Sequence, residues 1–287
     1  MDMSEINDKI GGIPDRQVRA LVQLLAEEDA AIAEAVRAKI LALGSRAVPY
    51  LREALAQQDV AIRGEAHDML ACLAQAAAAQ RFQVFSKGAV DLEVGAFLIA
   101  QVAYPDLNVA AYRQRLDLMA GSLKERLGAR SAPDTVIQTM NHYLFVELGF
   151  QGDNDDYANP ENSYLNRVLD RKLGIPISLS AVYLFLSRRL DLPVMGVGLP
   201  GHFLVTYTTG REARLIDPFN AGRVLTRDQC IDLVTRMGHP WREDYLGITP
   251  DRAILVRMIR NLITSYTNRG DKDRAADFSE YLKMLTL

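Results

Sequence analysis

Apolar and polar residues follow a helical period through the first 80 positions, and the pattern repeats. Apolar positions recur every three to four residues, which is the spacing of one buried helix face. The segment Leu25–Asp29 (LAEED) aligns with Leu55–Asp59 (LAQQD) at an offset of thirty residues, and Ile32 aligns with Ile62 at the same offset. A fixed period of this length is typical of helical repeats. The pattern therefore predicts repeat units of two helices each over residues 1–80.

The middle of the chain changes from helical spacing to strand-like runs. Residues 91–148 keep the helical period, and a turn-rich acidic loop follows at 152–160. A longer helix is predicted from about Ser178 to Leu190, just after a Gly-Ile-Pro break. Beyond it, short runs rich in β-branched and aromatic residues are bounded by glycine and proline, which is typical of strands. These strands are predicted at 193–199, 203–207 and 213–217, with a tight turn between the last two.

The C-terminal segment returns to the helical period. Residues 254–287 predict two helices, because the polar, glycine-containing stretch 268–271 interrupts the apolar spacing. A single pair of helices cannot bury its own apolar face, so we expect this pair to pack on the rest of the protein. The complete pattern predicts an α+β fold that is mostly helical, with N-terminal helical repeats and a small antiparallel sheet in the middle.

Composition and charge exclude several classes of partner. The 287 residues carry a formal net charge of −3 with a pI near 5.9, which is not the basic balance of a nucleic-acid-binding protein. No apolar run approaches the length of a membrane span, and the acidic start Met1–Asp8 is unlike a secretory signal. The two cysteines, Cys72 and Cys230, lie far apart without the spacing of a zinc site. We therefore predict a cytoplasmic protein with no cofactor, no metal, no nucleic-acid partner and no membrane partner.

Two of the predicted strands bring a histidine and an aspartate together. If the turn centres on Thr209 and Gly210, His202 lies directly opposite Asp217 on one face of the sheet. Directly opposed side chains have Cβ atoms about 4.5–5.5 Å apart, which allows a hydrogen bond from imidazole to carboxylate. Such a bond would fix the histidine tautomer and stabilise its charged form during proton transfer. His202 is therefore a candidate general base, with Asp217 as its orienting partner.

The start of the long helix supplies two candidate nucleophiles, Ser178 and Ser180. Backbone N–H groups and the helix dipole at such a position favour a developing oxyanion. A serine hydroxyl is too weak an acid for the dipole to ionise, so it would need His202 as a general base. A helix cap also explains the serines, because serine is among the preferred capping residues. The pattern favours capping over catalysis, and Ser178 slightly over Ser180 as the nucleophile position.

The order of a helix-start nucleophile, a strand histidine and a strand aspartate resembles the transglutaminase-like superfamily of papain-type folds. Several segments resemble its SirB-like branch more closely, and the resemblance covers roughly residues 89–287. These segments are Tyr157–Asn162, Val168–Asp170, Gly174–Ser180, Pro200–Phe203 and Ile216–Phe219. The resemblance implies a papain/transglutaminase-like core followed by a C-terminal tetratricopeptide-like helical hairpin. The N-terminal repeats lie outside it and resemble the HEAT and armadillo class.

Taken together, these resemblances imply three parts and an altered triad. The parts are a HEAT/armadillo-like repeat at 1–80, a transglutaminase-like core at 85–245 and a tetratricopeptide-like hairpin at 250–287 packed on the core. In catalytically competent relatives a cysteine begins the long helix, whereas this chain has no cysteine there. The candidates for triad-equivalent positions are Ser178, His202 and Asp217.

Three roles fit these residues. The missing cysteine and the helical repeats favour a non-catalytic binding or regulatory protein with a protein or peptide partner, because repeat surfaces commonly bind peptides. The alternative is a serine-dependent acyl hydrolase or amidase, with Ser178 as nucleophile, His202 as general base and Asp217 as orienting residue. In a purely structural role, His202 and Asp217 would only tie the hairpin together. The balance of the pattern leans away from an enzyme.

Overall fold

The computed structural model describes residues 13–128, 132–210 and 212–286. The chain forms two compact units, Met1–Arg81 and Phe82–Leu287, and the boundary between them falls inside the long helix Val60–Lys87. The acidic N-terminal segment lies outside the described residues, as does one residue of the predicted hairpin turn, Arg211.

The first unit is a set of helices around an apolar core. Its helices are α1 (Asp15–Gln23), α2 (Ala30–Leu43), α3 (Val48–Ala54) and the beginning of α4 (Val60–Lys87), with 3-10 turns at Leu24–Ala26 and Gly44–Ala47. One buried face of each helix contributes to the core, as the apolar spacing requires. The core residues include Val18, Val22, Leu25, Val36, Ile40, Leu51, Ile62, Met69 and Leu73.

The two aspartates of the thirty-residue offset make the same local structure. Asp29 Oδ1 accepts hydrogen bonds from the N–H groups two and three residues further on, at 2.9 and 3.3 Å. Asp59 Oδ1 does the same at 2.8 and 3.3 Å. Each aspartate thus satisfies free N–H groups at the start of the helix that follows it. The assignment of this unit to the HEAT or armadillo class stays a prediction.

The second unit is built from helices packed around one central helix. Its helices are α5 (Leu92–Ala103), α6 (Val109–Arg126), α7 (Pro133–Asn141), α8 (Leu165–Arg171), α9 (Pro176–Arg189), α10 (Arg227–Arg236), α11 (Asp251–Asn268) and α12 (Lys272–Thr286). A π-helical segment, His142–Glu147, continues α7, and 3-10 turns occupy Pro160–Asn162, Pro218–Asn220 and Glu243–Leu246. The central helix is α9, in which every residue from Pro176 to Ser187 is buried.

A four-stranded antiparallel sheet packs against α9. Its strands are β3 (Val194–Leu199), β4 (His202–Thr209), β5 (Glu212–Asp217) and β6 (Arg223–Leu225), in that spatial order. A short parallel pair, β1 (Gln151–Gly152) and β2 (Leu173–Gly174), lies before α9 in the chain. The first six residues of β4 are buried, because one face of the strand packs on α9 and the other is also covered. The prediction of a mostly helical protein with a small antiparallel sheet is therefore confirmed.

The register of the β4–β5 hairpin differs by two residues from the predicted one. Thr209 pairs with Glu212, so the prediction that His202 lies directly opposite Asp217 is wrong. The cause is the turn, because Gly210 has a φ of +58° and takes the first loop position rather than the second. Side chains alternate with a period of two, so a shift of two leaves each one on its original face. His202 and Asp217 consequently remain neighbours, but along a diagonal.

The C-terminal helices α11 and α12 pack on each other, separated by the short turn 269–271. The ring of Tyr266 on α11 stacks on Phe278 of α12, with centroids 5.8 Å apart. The Tyr266 hydroxyl also forms a hydrogen bond of 2.8 Å with the hydroxyl of the buried Tyr164, which anchors the pair to the rest of this unit. The tetratricopeptide assignment of this pair stays a prediction. Across the described residues, no helix is both long and apolar enough to cross a membrane.

Candidate functional site

His202 and Asp217 meet at the end of the sheet that faces the start of α9. His202 is the first residue of β4, and Asp217 is the last residue of β5. His202 Nε2 lies 2.9 Å from Asp217 Oδ1, which is an ion-pair distance. The N–H direction of the ring is not aligned with this oxygen, and Nε2 makes no in-line hydrogen bond. The two groups are therefore in close polar contact without an aligned hydrogen bond.

Asp217 also has a structural role. Its Oδ1 accepts hydrogen bonds from the N–H groups of Phe219 and Asn220 at 3.1 and 3.3 Å. Its Oδ2 accepts a third hydrogen bond, of 2.7 Å, from the side-chain amide of Asn220. The carboxylate thus caps the 3-10 turn that follows β5 while it holds His202. The structural and orienting roles of this aspartate coexist.

An aromatic ring packs against the His202 imidazole. The Phe219 ring meets it edge to face, with centroids 6.0 Å apart and an interplanar angle of 88°. Tyr157 meets Phe219 in a second edge-to-face contact, with centroids 6.0 Å apart. Gly152 permits this arrangement, because a Cβ at that position would lie 2.5 Å from the Phe219 ring. The loop after β1 and the turn after β5 therefore close over the histidine together.

Ser178 stabilises the start of α9 from inside the helix. The N-cap position is Ile175, so Ser178 is the third helical residue rather than the cap that its position in the sequence suggests. Its Oγ accepts a hydrogen bond of 3.0 Å from the Ile175 N–H, which is the half of a capping box that an N3 residue supplies. The hydroxyl faces two carbonyl acceptors, at 2.6 Å from Asn162 O and 3.1 Å from Ile175 O. The hydroxyl is therefore fully engaged with backbone groups.

Ser180 is engaged more weakly. Its hydroxyl donates one hydrogen bond of 3.4 Å to the carbonyl oxygen of Phe203 on β4. Neither Ser178 nor Ser180 forms a hydrogen bond with the His202 ring, which general-base catalysis of serine attack requires. The structure thus brings the histidine and the aspartate together and leaves both serines bonded elsewhere.

Ser178, Ser180, His202 and Asp217, named the closed cluster below, are shielded from solvent. Both serines are 0% exposed, His202 is 4% exposed and Asp217 is 2% exposed. A small cavity of about 140 Å³ reaches Asp217 from the side of α10 and does not include the His202 ring in its lining. The imidazole and both hydroxyls are therefore inaccessible to an acyl substrate in this conformation.

A larger cavity of about 530 Å³ opens beside the closed cluster, between the start of α9, the β3–β4 turn and α11. It is named the arginine cavity because two of its lining residues are Arg257 and Arg260 of α11. No aspartate or glutamate is among the described residues that line it. The lining used in the argument below is Tyr157, Ile177, Gly201, Arg257, Arg260 and Asn261.

Arg257 connects the arginine cavity to the closed cluster. Its Nη2 donates a hydrogen bond of 2.6 Å to the backbone carbonyl oxygen of His202. Its guanidinium lies over the ring of Phe203, 5.5 Å from the centroid, which is a cation–π geometry. Burial lowers the pKa of Arg257, and the nearby Tyr157 opposes this shift. Sequence reasoning missed Arg257, although the spacing of residues 257, 260 and 261 on a predicted helix signals one polar face.

The buried Cys230 is poorly suited to act as a nucleophile. Burial raises the pKa of the Cys230 thiol to about 11, and the negative charge of Asp217 adds to the effect. A thiol with a raised pKa is a poor nucleophile at neutral pH. Cys72 lies in the first unit and is exposed. Within the described ranges, no group of three or more histidine, cysteine, aspartate or glutamate side chains could hold a metal ion.

Known proteins are similar in sequence to much of this chain. The family model described as Transglutaminase-like superfamily matches residues 110–260. A UPF0162 protein of Xylella fastidiosa (strain 9a5c) is 38% identical over 187 residues, which are 63% of this chain and 66% of that protein. A UPF0162 protein of Pseudomonas aeruginosa is 33% identical over 156 residues, 53% of this chain and 55% of that protein. The chain thus spans just under two thirds of the first relative and about half of the second.

A relative of a different kind matches a shorter stretch. F-box only protein 21 of Homo sapiens is 35% identical over 143 residues, which are 47% of this chain and 22% of that protein. No solved structure matches the chain significantly.

Proposed function

This chain belongs to the transglutaminase-like superfamily, and from that membership we propose that it is a non-catalytic binding protein for a protein or peptide partner. The observation that carries the proposal is the state of the closed cluster. Its two hydroxyls are bonded to backbone groups, and its histidine is buried against the Phe219 ring. A catalytic site must expose its nucleophile to substrate, whereas a binding site needs only an accessible surface.

The lengths of the relatives are consistent with a module that is joined to different additional segments in different proteins. The segment shared with F-box only protein 21 makes up 22% of that protein, so there it accompanies much additional chain. The segment shared with the UPF0162 proteins makes up a far larger share of theirs. A binding module suits this distribution, because it retains its use when joined to different neighbours.

The finer assignments belong to the same proposal. We place the chain in the SirB-like branch, with parts at 1–80, 85–245 and 250–287. The equivalent caps at Asp29 and Asp59 support a HEAT- or armadillo-like first part. The packed pair α11 and α12 supports a tetratricopeptide-like last part. Both kinds of helical repeat commonly present surfaces for peptides or proteins.

Filling the arginine cavity tests the binding proposal. Asn261→Trp puts a large side chain on the cavity wall, whereas Gln114→Trp adds the same ring on an exposed position of α6. The full chain is immobilised, and proteins captured from a bacterial lysate are compared between the variants. Proteins retained by wild type and by Gln114→Trp should be lost with Asn261→Trp. Identical capture by all three proteins would contradict the use of this cavity for binding.

A serine-dependent acyl hydrolase or amidase is the second candidate. The 2.9 Å approach of His202 Nε2 to Asp217 Oδ1 favours it, because that pair would orient a general base. A fluorophosphonate probe incubated with the native protein distinguishes the two functions. The binding proposal expects no covalent label. Labelling that is lost in Ser178→Ala would establish the hydrolase instead.

A further inference from the structure

The arginine cavity contains positive charge that the protein does not neutralise. Most arginines of the second unit have a carboxylate oxygen within 4.0 Å, including Arg113, Arg115, Arg167, Arg188, Arg189 and Arg269. In the part of the chain that the structure describes, Arg257 and Arg260 have no such partner. Arg257 gives one hydrogen bond to a neutral carbonyl, and Arg260 gives none from its side chain to any other described residue. Both cations line a cavity whose described lining residues include no carboxylate, so they are open to an external anion.

The half-buried position of Arg257 makes the missing partner significant. Transferring a guanidinium away from water costs free energy unless a carboxylate or several acceptors replace the lost hydration. A single carbonyl satisfies one of five N–H donors. Gly198 leaves the other N–H donors of Arg257 unobstructed, because a Cβ at position 198 would lie 3.4 Å from Arg257 Nη1. The guanidinium is thus held beside the cavity with donors to spare.

The rest of the cavity suits an anion attached to a peptide. Arg257, Arg260 and Asn261 lie three and four residues apart, so one face of α11 presents two guanidinium groups and an amide. The start of α9, a helix of 14 residues, adds the positive end of its dipole at Ile177. Tyr157 and Ile177 provide apolar contact area, which a small inorganic anion would not use. A volume of about 530 Å³ lies within the range of about 300–1,000 Å³ that is typical of ligand-binding clefts.

We propose that the arginine cavity binds a peptide through a carboxylate, with Arg257 and Arg260 as its cationic partners. Planar guanidinium groups match a carboxylate in a bidentate geometry, and charge-assisted hydrogen bonds of this kind are the stronger ones. The inference rests on the proposed binding function and adds the chemistry that the partner must present. Two sources of the group are an acidic side chain and a free C-terminus.

Fluorescein-labelled peptide mixtures distinguish these sources. Each mixture is randomised over neutral residues except at one central position, and binding to the full chain is measured by fluorescence anisotropy. The mixtures carry central glutamate with an amidated end, central glutamine with an amidated end, central glutamine with a free carboxyl end, or central phosphoserine with an amidated end. We expect one carboxylate mixture to bind about tenfold more tightly than the glutamine amide, because one charged hydrogen-bonded group contributes about that factor.

Two matched variants locate the binding. Arg260→Gln removes an exposed charge of the cavity without disturbing the hydrogen bond of Arg257, and Lys124→Gln removes an exposed charge on α6. Arg260→Gln should weaken binding of the carboxylate mixture about threefold to tenfold, whereas Lys124→Gln should leave it unchanged. Equal binding of the glutamate, glutamine and free-carboxyl mixtures overturns the proposal, as does binding of the phosphoserine mixture alone. If Asn261→Trp abolishes capture of partners while no carboxylate mixture is preferred, the binding function stands and the carboxylate assignment fails.

Discussion

The closed cluster and the arginine cavity lie side by side and have opposite properties. The cluster contains the residue types of acyl-transfer chemistry, but its hydroxyls are bonded to the backbone and its imidazole lies under Phe219. Among the described residues, the cavity is lined by no serine, cysteine, lysine or histidine, but it is open and carries two arginines without carboxylate partners. The closed cluster has the residue types of acyl transfer but is buried, whereas the arginine cavity is accessible but lacks those residue types.

The difference shows that residues in a triad-like order can serve the fold. Asp217 caps the turn after β5, so its removal would cost stability whether or not it takes part in a reaction. Ser178 likewise closes the start of α9. A triad outline is therefore weak evidence of catalysis by itself, and the accessibility of its members carries more weight.

The largest effect is expected from Asp217→Ala. It removes the acceptor of three hydrogen bonds and leaves His202 beside a buried void, so the free energy of unfolding should fall by about 3–5 kcal/mol. Urea unfolding measures the loss. Asp228→Ala, at an exposed position of α10, is the control and should change stability by less than about 1 kcal/mol. A small effect of Asp217→Ala would mean that the cluster is not a structural unit.

Gly152→Ala tests the cover over the histidine. The added methyl group would meet the Phe219 ring, so we expect a loss of about 1–3 kcal/mol from overpacking. Gly121→Ala is the matched control, since its Cβ meets nothing within 4 Å in the middle of α6. That control should gain about 0.5–1 kcal/mol from its better helix propensity. If both variants unfold at the same urea concentration, Phe219 is free to move and the cluster is less closed than described.

Ser178→Ala and Ser180→Ala separate capping from packing. Ser178→Ala leaves the Ile175 N–H and the Asn162 carbonyl oxygen without their partner, so we expect a loss of about 1–2 kcal/mol. Ser180→Ala removes a single bond of 3.4 Å and should cost less than about 1 kcal/mol. The two unfolding curves should therefore differ. A larger loss for Ser180→Ala would reverse the structural roles assigned to the serines.

The smallest effect concerns Asp153, in the loop after β1, and the way the free energy of unfolding changes at low pH. Burial by itself would raise the pKa of Asp153, but hydrogen bonds from the Asp156 N–H and the Asn162 amide outweigh it and hold that pKa below its usual range. A lowered folded-state pKa contributes stability that is complete above the ordinary aspartate pKa of about 4 and is lost as the pH falls through the folded value. Unfolding free energies measured from pH 6 down to pH 2.5 should therefore decline less in Asp153→Asn than in wild type. Parallel declines would show that Asp153 is not the group that titrates.

The helix and strands that carry the site could be predicted from the sequence, but the hydrogen bonds of its side chains could not. The helix at α9 and the strands around it follow from local spacing and turn residues, which act over a few positions. The hairpin register was wrong by two, because the conformation of Gly210 decides which residues form the loop. The position of Ser178 at N3 depends on where the helix begins, and helix ends are the least predictable part of an element. Arg257 could not be recognised from the sequence, because its role depends on whether a distant part of the chain brings a carboxylate to it, and none of the described residues does.

The hydrogen bond from Arg257 Nη2 to the His202 carbonyl oxygen offers a spectroscopic reporter. Its donor lines the cavity, and its acceptor belongs to one of only four histidines in the chain. A ligand that draws the guanidinium away from this carbonyl would change the shielding of the next peptide N–H, at Phe203, and of the nearby imidazole. Magnetic resonance spectra with labelled histidine would therefore register cavity occupancy from a buried nucleus, without a dye attached to the protein.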